Sequence, residues 1–292
     1  MSPALKDGLK RVRASQPLNW AATTLLRACV GSNAEWAIKH LPRSGTVTSP
    51  LPNGRALRLR SRGDDWVSNQ VFWRGWAGYE PEITPLFFRL ATRARATLDV
   101  GAHVGFYSLL AAHANPRGRV YAFEPMPVTY SRLVQNVALN GLENVNALQA
   151  AVGAEAGSAK FYHGSTEIPC SCGLEPGIFD AGSEVSSFEV EVLALDDVAE
   201  KEGLSVDLVK IDTETTEMDV LRGLSRTLRR DRPDVFCEVW AGPGPEMSEF
   251  LAAHGYRCYA LHPSGPVPYD GTNPVSNYLF TTKGADEIAA AS

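Results

Sequence analysis

Leu98-Asp99-Val100-Gly101-Ala102-His103-Val104-Gly105-Phe106-Tyr107-Ser108 reads as an apolar strand that ends in a glycine turn and opens a helix. Glycine lacks a side chain, so a ligand can approach such a turn closely, and the first helical turn offers unpaired backbone N–H groups. The spacing is Asp-x-Gly-x-x-x-Gly, whereas pyrophosphate-binding dinucleotide sites use Gly-x-Gly-x-x-Gly. The next apolar run, Val120 to Phe123, ends in Glu124, 23 residues after Gly101 (124 − 101). A carboxylate at the tip of the second strand is placed to accept hydrogen bonds from both ribose hydroxyls. A glycine turn without the middle glycine, paired with a ribose-binding acid, favours S-adenosylmethionine, which has no phosphate, over NAD. Pro125 stops the strand and Pro127 suits the first turn of the following helix. Ala150, Ala151 and Val152 follow the third strand and can pack on an adenine ring, although small apolar residues are equally at home in a core.

Outward from this turn, strands and helices alternate, the signature of a parallel sheet covered on both faces. Strands are expected at Thr97 to Val100, Arg119 to Phe123, Val145 to Ala150, Asp207 to Ile211, Val235 to Val239, Cys258 to Leu261 and Tyr278 to Thr281. Helices are expected over Val104 to Ala114, Pro127 to Asn140, Leu195 to Glu202, Glu217 to Arg229 and Glu246 to His254. An insertion between Gly153 and Val192 adds two further strands around a Gly/Ser-rich loop. Upstream, Ser2 to about His40 has helical spacing. Gly45 to Arg60 reads as a β-hairpin turning at Pro52-Asn53-Gly54, and an aromatic segment leads into a helix ending near Ala94. This divides the chain into an N-terminal helical and hairpin extension, residues 1–94, and a Rossmann-like α/β domain, residues 95–292. Its sheet should be mostly parallel, of seven strands, with the last antiparallel.

The net charge of −5 is uneven: through Arg62 there are eleven Lys or Arg against two acids, +9, which leaves −14 for the remainder. Such a basic segment suits a peripheral contact with a membrane or another anionic surface, or a solvated face docked on an acidic domain. The five cysteines are odd in number and scattered, and Cys170-x-Cys172 lacks the second pair a structural zinc site needs. With no bilayer-length apolar run and no convincing export signal, a reduced, cytoplasmic protein is expected. The sequence does not disclose an oligomeric state.

The ordered set of motifs resembles the FkbM-type methyltransferases, class I enzymes associated chiefly with methylation of hydroxyl groups. The resemblance runs from about Asn53 to Phe280. It takes in the Asn53-Gly54 turn, Tyr79-Glu80, the Asp99 to Ser108 turn, Phe123-Glu124-Pro125, and Asn136 with Asn140. It continues through Leu195-Asp196-Asp197, Val209-Lys-Ile-Asp-Thr-Glu214, Glu217 to Leu224, and Glu238. It implies an S-adenosylmethionine site built from Glu80, Asp99, Gly101, Ala102, His103, Gly105, Phe106, Tyr107, Ser108, Glu124, Pro125, Ala151 and Asp212. In an open parallel sheet, ligands gather outside the carboxyl ends of the strands, which brings Asp212, Glu214 and Glu238 to the same crevice. The candidate bases for a hydroxyl acceptor are Asp212, Glu238, Glu214 and His103, in that order. Acids and threonines before a helix are also ordinary caps. Clustered carboxylates can hold Mg²⁺ or Ca²⁺, but no metal is expected. Where the family reads Asp-x-Glu-Gly-x-Glu this chain has Asp212-Thr213-Glu214-Thr215-Thr216-Glu217, so Thr215 is expected to close off a backbone torsion that glycine allows. That departure keeps open a catalytically silent S-adenosylmethionine-binding protein; an NAD-dependent oxidoreductase is the weaker alternative. The expected acceptor is a hydroxyl on a small molecule, sugar or glycan. A nucleic acid is not expected, because no Asn-Pro-Pro-Tyr-like amine site follows the appropriate strand.

Overall fold

The structure is a computed structural model that describes residues 15–30, 35–164, 172–174, 185–240, 242–272 and 274–291. The helical start expected from Ser2, much of the Gly/Ser-rich loop, and Cys170 lie outside them. The upstream region forms helices Gln16–Val30 and Glu35–His40, then an antiparallel hairpin of β1 (Ser44–Pro50) and β2 (Ala56–Arg62). Gly54, at φ 78°, makes the expected turn, and the Asn53 amide reaches the His113 carbonyl at 2.8 Å. Helices Trp66–Arg74 and Thr84–Ala91 follow, the first capped by Asp65, which accepts from the Ser68 N–H.

The main sheet holds β3 (Ala96–Val100), β4 (Arg119–Phe123) and β5 (Val145–Leu148). A smaller sheet is made of β6 (Ala151–Val152), β7 (Gly157–Gly164), β8 (Cys172–Gly173) and β9 (Val185–Leu193). The main sheet resumes with β10 (Leu208–Ile211), β11 (Asp234–Glu238), β12 (Arg257–His262), β13 (Gly265–Pro268) and β14 (Asn277–Thr281), in the order β13-β12-β14-β11-β10-β3-β4-β5. β5, β4, β3, β10 and β11 run parallel, while β14 lies antiparallel between β11 and β12. Every residue of β3 is buried, as a strand covered on both faces requires.

The expectation of a seven-stranded sheet needs correction. Among the described residues the sheet has eight strands, because the chain turns through Pro263-Ser264 onto Gly265, at φ 118°, and adds β13 to the β12 edge; it is mixed, with antiparallel pairing at β11–β14, β14–β12 and β12–β13. The expected single helix from Glu217 to Arg229 is likewise two, Glu217–Arg222 and Ser225–Asp231. A Cβ at Gly223 would fall 2.2 Å from the Gly153 carbonyl oxygen. Buried Asp196 accepts the Arg226 and Thr227 N–H groups at 2.8 Å each and so starts the second helix.

The hairpin is tied to the Pro127–Asn140 helix by two asparagines one turn apart. Asn136 accepts the Arg60 N–H at 2.8 Å and donates to the Val104 carbonyl at 2.8 Å. Asn140 accepts the Arg58 N–H at 2.9 Å and donates to the Arg58 carbonyl at 2.7 Å. The core is continuous across this junction: Val47, Leu57, Leu59, Trp73 and Phe87 pack in one cluster with Val104, Leu109, Leu110 and Phe236.

Candidate active site

The cradle forms where β3 ends. Gly101 takes φ 76° and a Cβ there would sit 1.8 Å from the Asp212 carbonyl oxygen, so β3 and the end of β10 approach as closely as backbones can. His103 at φ 51° and Gly105 at φ 90° complete a turn of left-handed residues. The Phe106–Ala114 helix begins at Gly105 without a side-chain cap, leaving N–H groups at its start for a ligand.

Of the residues predicted from sequence, Glu80, Asp99, Gly101, Ala102, His103, Phe106, Tyr107, Glu124, Pro125, Ala151, Asp212, Glu214 and Glu238 line one cavity of about 540 Å³, together with Ala150 and Val152. Gly105 and Ser108 lie outside that wall. A Cβ at Gly105 would meet Leu133 at 2.4 Å, and Ser108 is buried beneath the turn, donating its hydroxyl to Asp99.

Glu124 is held before any ligand arrives: one carboxylate oxygen accepts the His103 N–H at 2.8 Å and the other the Met126 N–H at 2.9 Å. Burial pushes it up to about 7, and burial likewise pushes Asp99 up to about 6. Because these folded values lie above the ordinary carboxyl values of 4.5 and 3.8, the folded protein binds more protons than the unfolded chain in between. The stability they contribute is therefore complete at acid pH and is lost as pH rises through about 7. Denaturant titrations across that window are expected to show the ligand-free protein weakening with pH. Glu124→Gln should reduce the total loss of stability across that window by on the order of 3 kcal/mol; an identical pH dependence in the variant would remove Glu124 as its source.

Beside the Gly101 turn the same cavity is lined by a charge cluster. Glu80, Asp212 and Glu238 each bring a carboxylate oxygen within 4.8 Å of the others. The fully buried Lys210 places its ammonium 3.2 Å from Asp212 Oδ2 and 5.4 Å from the Tyr107 ring centre. Burial opposes the charge on Lys210, but Asp212, Glu80 and Glu238 outweigh it and hold the ammonium above the ordinary lysine range. Burial also works against the Asp212 carboxylate, yet Lys210 and a hydrogen bond with Glu238 keep Asp212 ionised. Glu238, desolvated and facing Asp212, is pushed well up and holds a proton. Glu80, in a left-handed conformation at φ 44°, accepts from the Tyr107 hydroxyl, and burial raises it. Burial lowers His103 to about 4, so its ring is neutral at neutral pH, and its buried Nε2 has no hydrogen-bond partner among the described residues. Burial, then Asp212 and Glu217, raise Glu214 to about 7.

Lys210 was not anticipated from sequence; the available signal was a lysine inside an apolar strand, two residues before an acid. Trp66 and Trp240, also unanticipated, line the same cavity, and Trp240 is 70% exposed.

The expectation for Thr215 is corrected. It adopts φ 89°, beside Glu214 at φ 53°, so the glycine-like path is kept by a β-branched residue. Glu217 secures the loop by accepting the Thr215 N–H at 3.1 Å and the Thr213 hydroxyl at 3.2 Å. Such a torsion costs of order 1–3 kcal/mol, more than the extra chain entropy of glycine. Thr215→Gly is therefore expected to raise unfolding free energy by about 1 kcal/mol; a drop in the urea midpoint would show the torsion to be unstrained.

Residues 99–258 match the methyltransferase FkbM domain model, more than half of the 292-residue chain. Methyltransferase sdnD of Sordaria araneosa is 29% identical over 187 residues, covering 54% of this chain and 72% of that protein. The 31-O-demethyl-FK506 methyltransferase FkbM of Streptomyces tacrolimicus is 27% identical over 245 residues, 73% and 90% of the two chains. Hexuronic acid methyltransferase AglP of Haloferax volcanii is 25% identical over 213 residues, 70% and 80%. Motif order, cradle geometry and the domain match lead to one assignment: the chain belongs to the FkbM family and is an S-adenosylmethionine-dependent methyltransferase.

Proposed function

We propose that the protein methylates a hydroxyl oxygen on a small molecule, sugar or glycan, with Asp212 taking the hydroxyl proton. The observation that carries this reading is the ionised Asp212, held between Lys210 and a protonated Glu238, on the wall shared with the Gly101 turn. Two relatives named for 31-O-demethyl-FK506 and for hexuronic acid support an oxygen acceptor.

The residues fit the cofactor. The Gly101 cradle, the uncapped start of the Phe106–Ala114 helix and the orphaned His103 Nε2 suit its amino-acid end. Glu124 suits the ribose, and Ala150, Ala151 and Val152 suit the adenine. When bound, S-adenosylmethionine supplies a methyl carbon on a positively charged sulfur. An acceptor oxygen aligned with that carbon would take the methyl group with the sulfur as leaving group, and Asp212 is the residue that would receive the hydroxyl proton. Lys210 keeps Asp212 deprotonated, a hydrogen bond with Glu238 supports that charge, and residues 1–94 supply Tyr79 and Glu80 as the cover of the cavity. Alignment of acceptor and methyl accounts for most of the rate, up to roughly 7–11 kcal/mol, and proton removal adds about 10²–10⁴-fold.

Asp212→Asn is accordingly expected to lower kcat by about 10²–10⁴-fold while calorimetry shows near wild-type affinity for S-adenosylmethionine. The assay is transfer of labelled methyl to a panel of hydroxylated small molecules, sugars and uronic acids. Full activity in the variant excludes Asp212 as the base. Cofactor binding by the wild type with transfer to no member of the panel favours the silent-binder reading.

A further inference from the structure

The Gln16–Val30 helix is amphipathic in the wrong sense for a helix facing water. Two of its polar side chains point inward: Asn19 and Thr23 are buried, Asn19 bonding the Pro42 carbonyl and the Ser44 N–H, and Thr23 bonding Arg43. Its outward face carries Leu18, Ala21, Thr24, Leu25, Ala28 and Cys29, all exposed, with Leu18 at 56% and Leu25 at 68%. Arg27, the helix's one charged side chain, folds back over the Phe72 ring at 5.1 Å. A solvated helix face ordinarily carries charge, whereas this one has none. Trp20 and Trp36, 56% and 47% exposed, add the amphipathic rings that favour a water–lipid boundary.

Basic groups precede this helix in sequence and stand exposed on the hairpin to which it is bonded. Lys6, Lys10, Arg11 and Arg13 precede the helix. Arg58 and Arg60 alternate outward on β2, in the hairpin whose first residue, Ser44, is bonded to Asn19. Two copies meeting through this face would bring together two segments of net charge +9, which repel one another. An anionic lipid surface offers the complement to both features, apolar depth for the leucines and negative charge for the arginines and lysines.

We infer that the outward face of the Gln16–Val30 helix is a peripheral docking surface for anionic membranes. This inference is independent of the acceptor and of the assignment of Asp212. The test is co-sedimentation of the full chain with phosphatidylcholine vesicles, with and without phosphatidylglycerol, at low and high salt. Binding to the phosphatidylglycerol-containing vesicles alone, weakened by salt, is expected. Leu18→Glu/Leu25→Glu should lower the partition by about a hundredfold or more, at unchanged affinity for S-adenosylmethionine. Leu18→Ser/Leu25→Ser, which adds no charge, serves as a second variant and should show a smaller loss. Wild-type protein remaining in the supernatant with anionic vesicles, or variants that pellet as the wild type does, overturns the inference. So does a dimer in light scattering that the glutamate pair dissociates, because the face would then belong to a second copy.

Discussion

A Gly101→Ala chain is expected to give no heat with S-adenosylmethionine or its demethylated product, and to lose more than about 3 kcal/mol of stability. Two independent reasons point the same way. The backbone there sits at φ 76°, where a Cβ is disfavoured, and the new atom would lie 1.8 Å from the Asp212 carbonyl oxygen. Backbone cannot swing aside as a side-chain tip can, so β3 and β10 must separate. That separation destroys the pairing of Val100 with Ile211 and moves Asp212 away from the cofactor turn. Overpacking in a close-packed core costs about 1–3 kcal/mol, and the torsional strain is added to it. A folded Gly101→Ala protein that still binds the cofactor with wild-type affinity would falsify the placement of the methionine end at this turn.

Lys210→Met should be the other severe substitution, and its severity should depend on pH. The ammonium faces Glu80, Asp212 and Glu238 from a fully buried position. Removing one partner of a buried ion cluster costs about 3–5 kcal/mol because the remaining charge is left uncompensated. The carboxyls can escape part of that penalty by taking up protons. Asp212, now held down by Lys210, would titrate above its ordinary value in the variant, so the deficit should be smallest in acid and should grow as pH rises. Urea titrations at acid and neutral pH read this directly. Activity should fall as well, since Asp212 would lose the charge that now favours its deprotonated form. Equal stability of variant and wild type at neutral pH would mean that the Asp212 charge does not depend on Lys210.

Much of this architecture was legible in the chain. The strands around the Gly101 turn were readable because buried parallel strands are short apolar runs between turn residues, and helix Pro127–Asn140 because a proline opens it and Gly141, at φ 62°, closes it. The misread elements share a cause, which is contact with residues far away in sequence. Nothing near Gly223 announces that it lies against the Gly153 carbonyl, or that Asp196 caps the helix beyond it. Lys210 reads as an ordinary member of Leu208-Val209-Lys210-Ile211 until Glu80 and Glu238 arrive from two other elements. The acids were readable as a group because they end strands at one edge of the sheet; which of them carries a proton depends on burial and on Lys210.

Asn136 and Asn140 have a further consequence for how the protein behaves in concentrated solution. An isolated two-stranded ribbon shows an open row of amides to any extended chain that passes, and that row is a template for runaway strand addition. By occupying the Arg58 and Arg60 amides with carboxamide side chains, a helix does the work of a third strand without being one. The ribbon is thereby sealed along that border against cross-β growth.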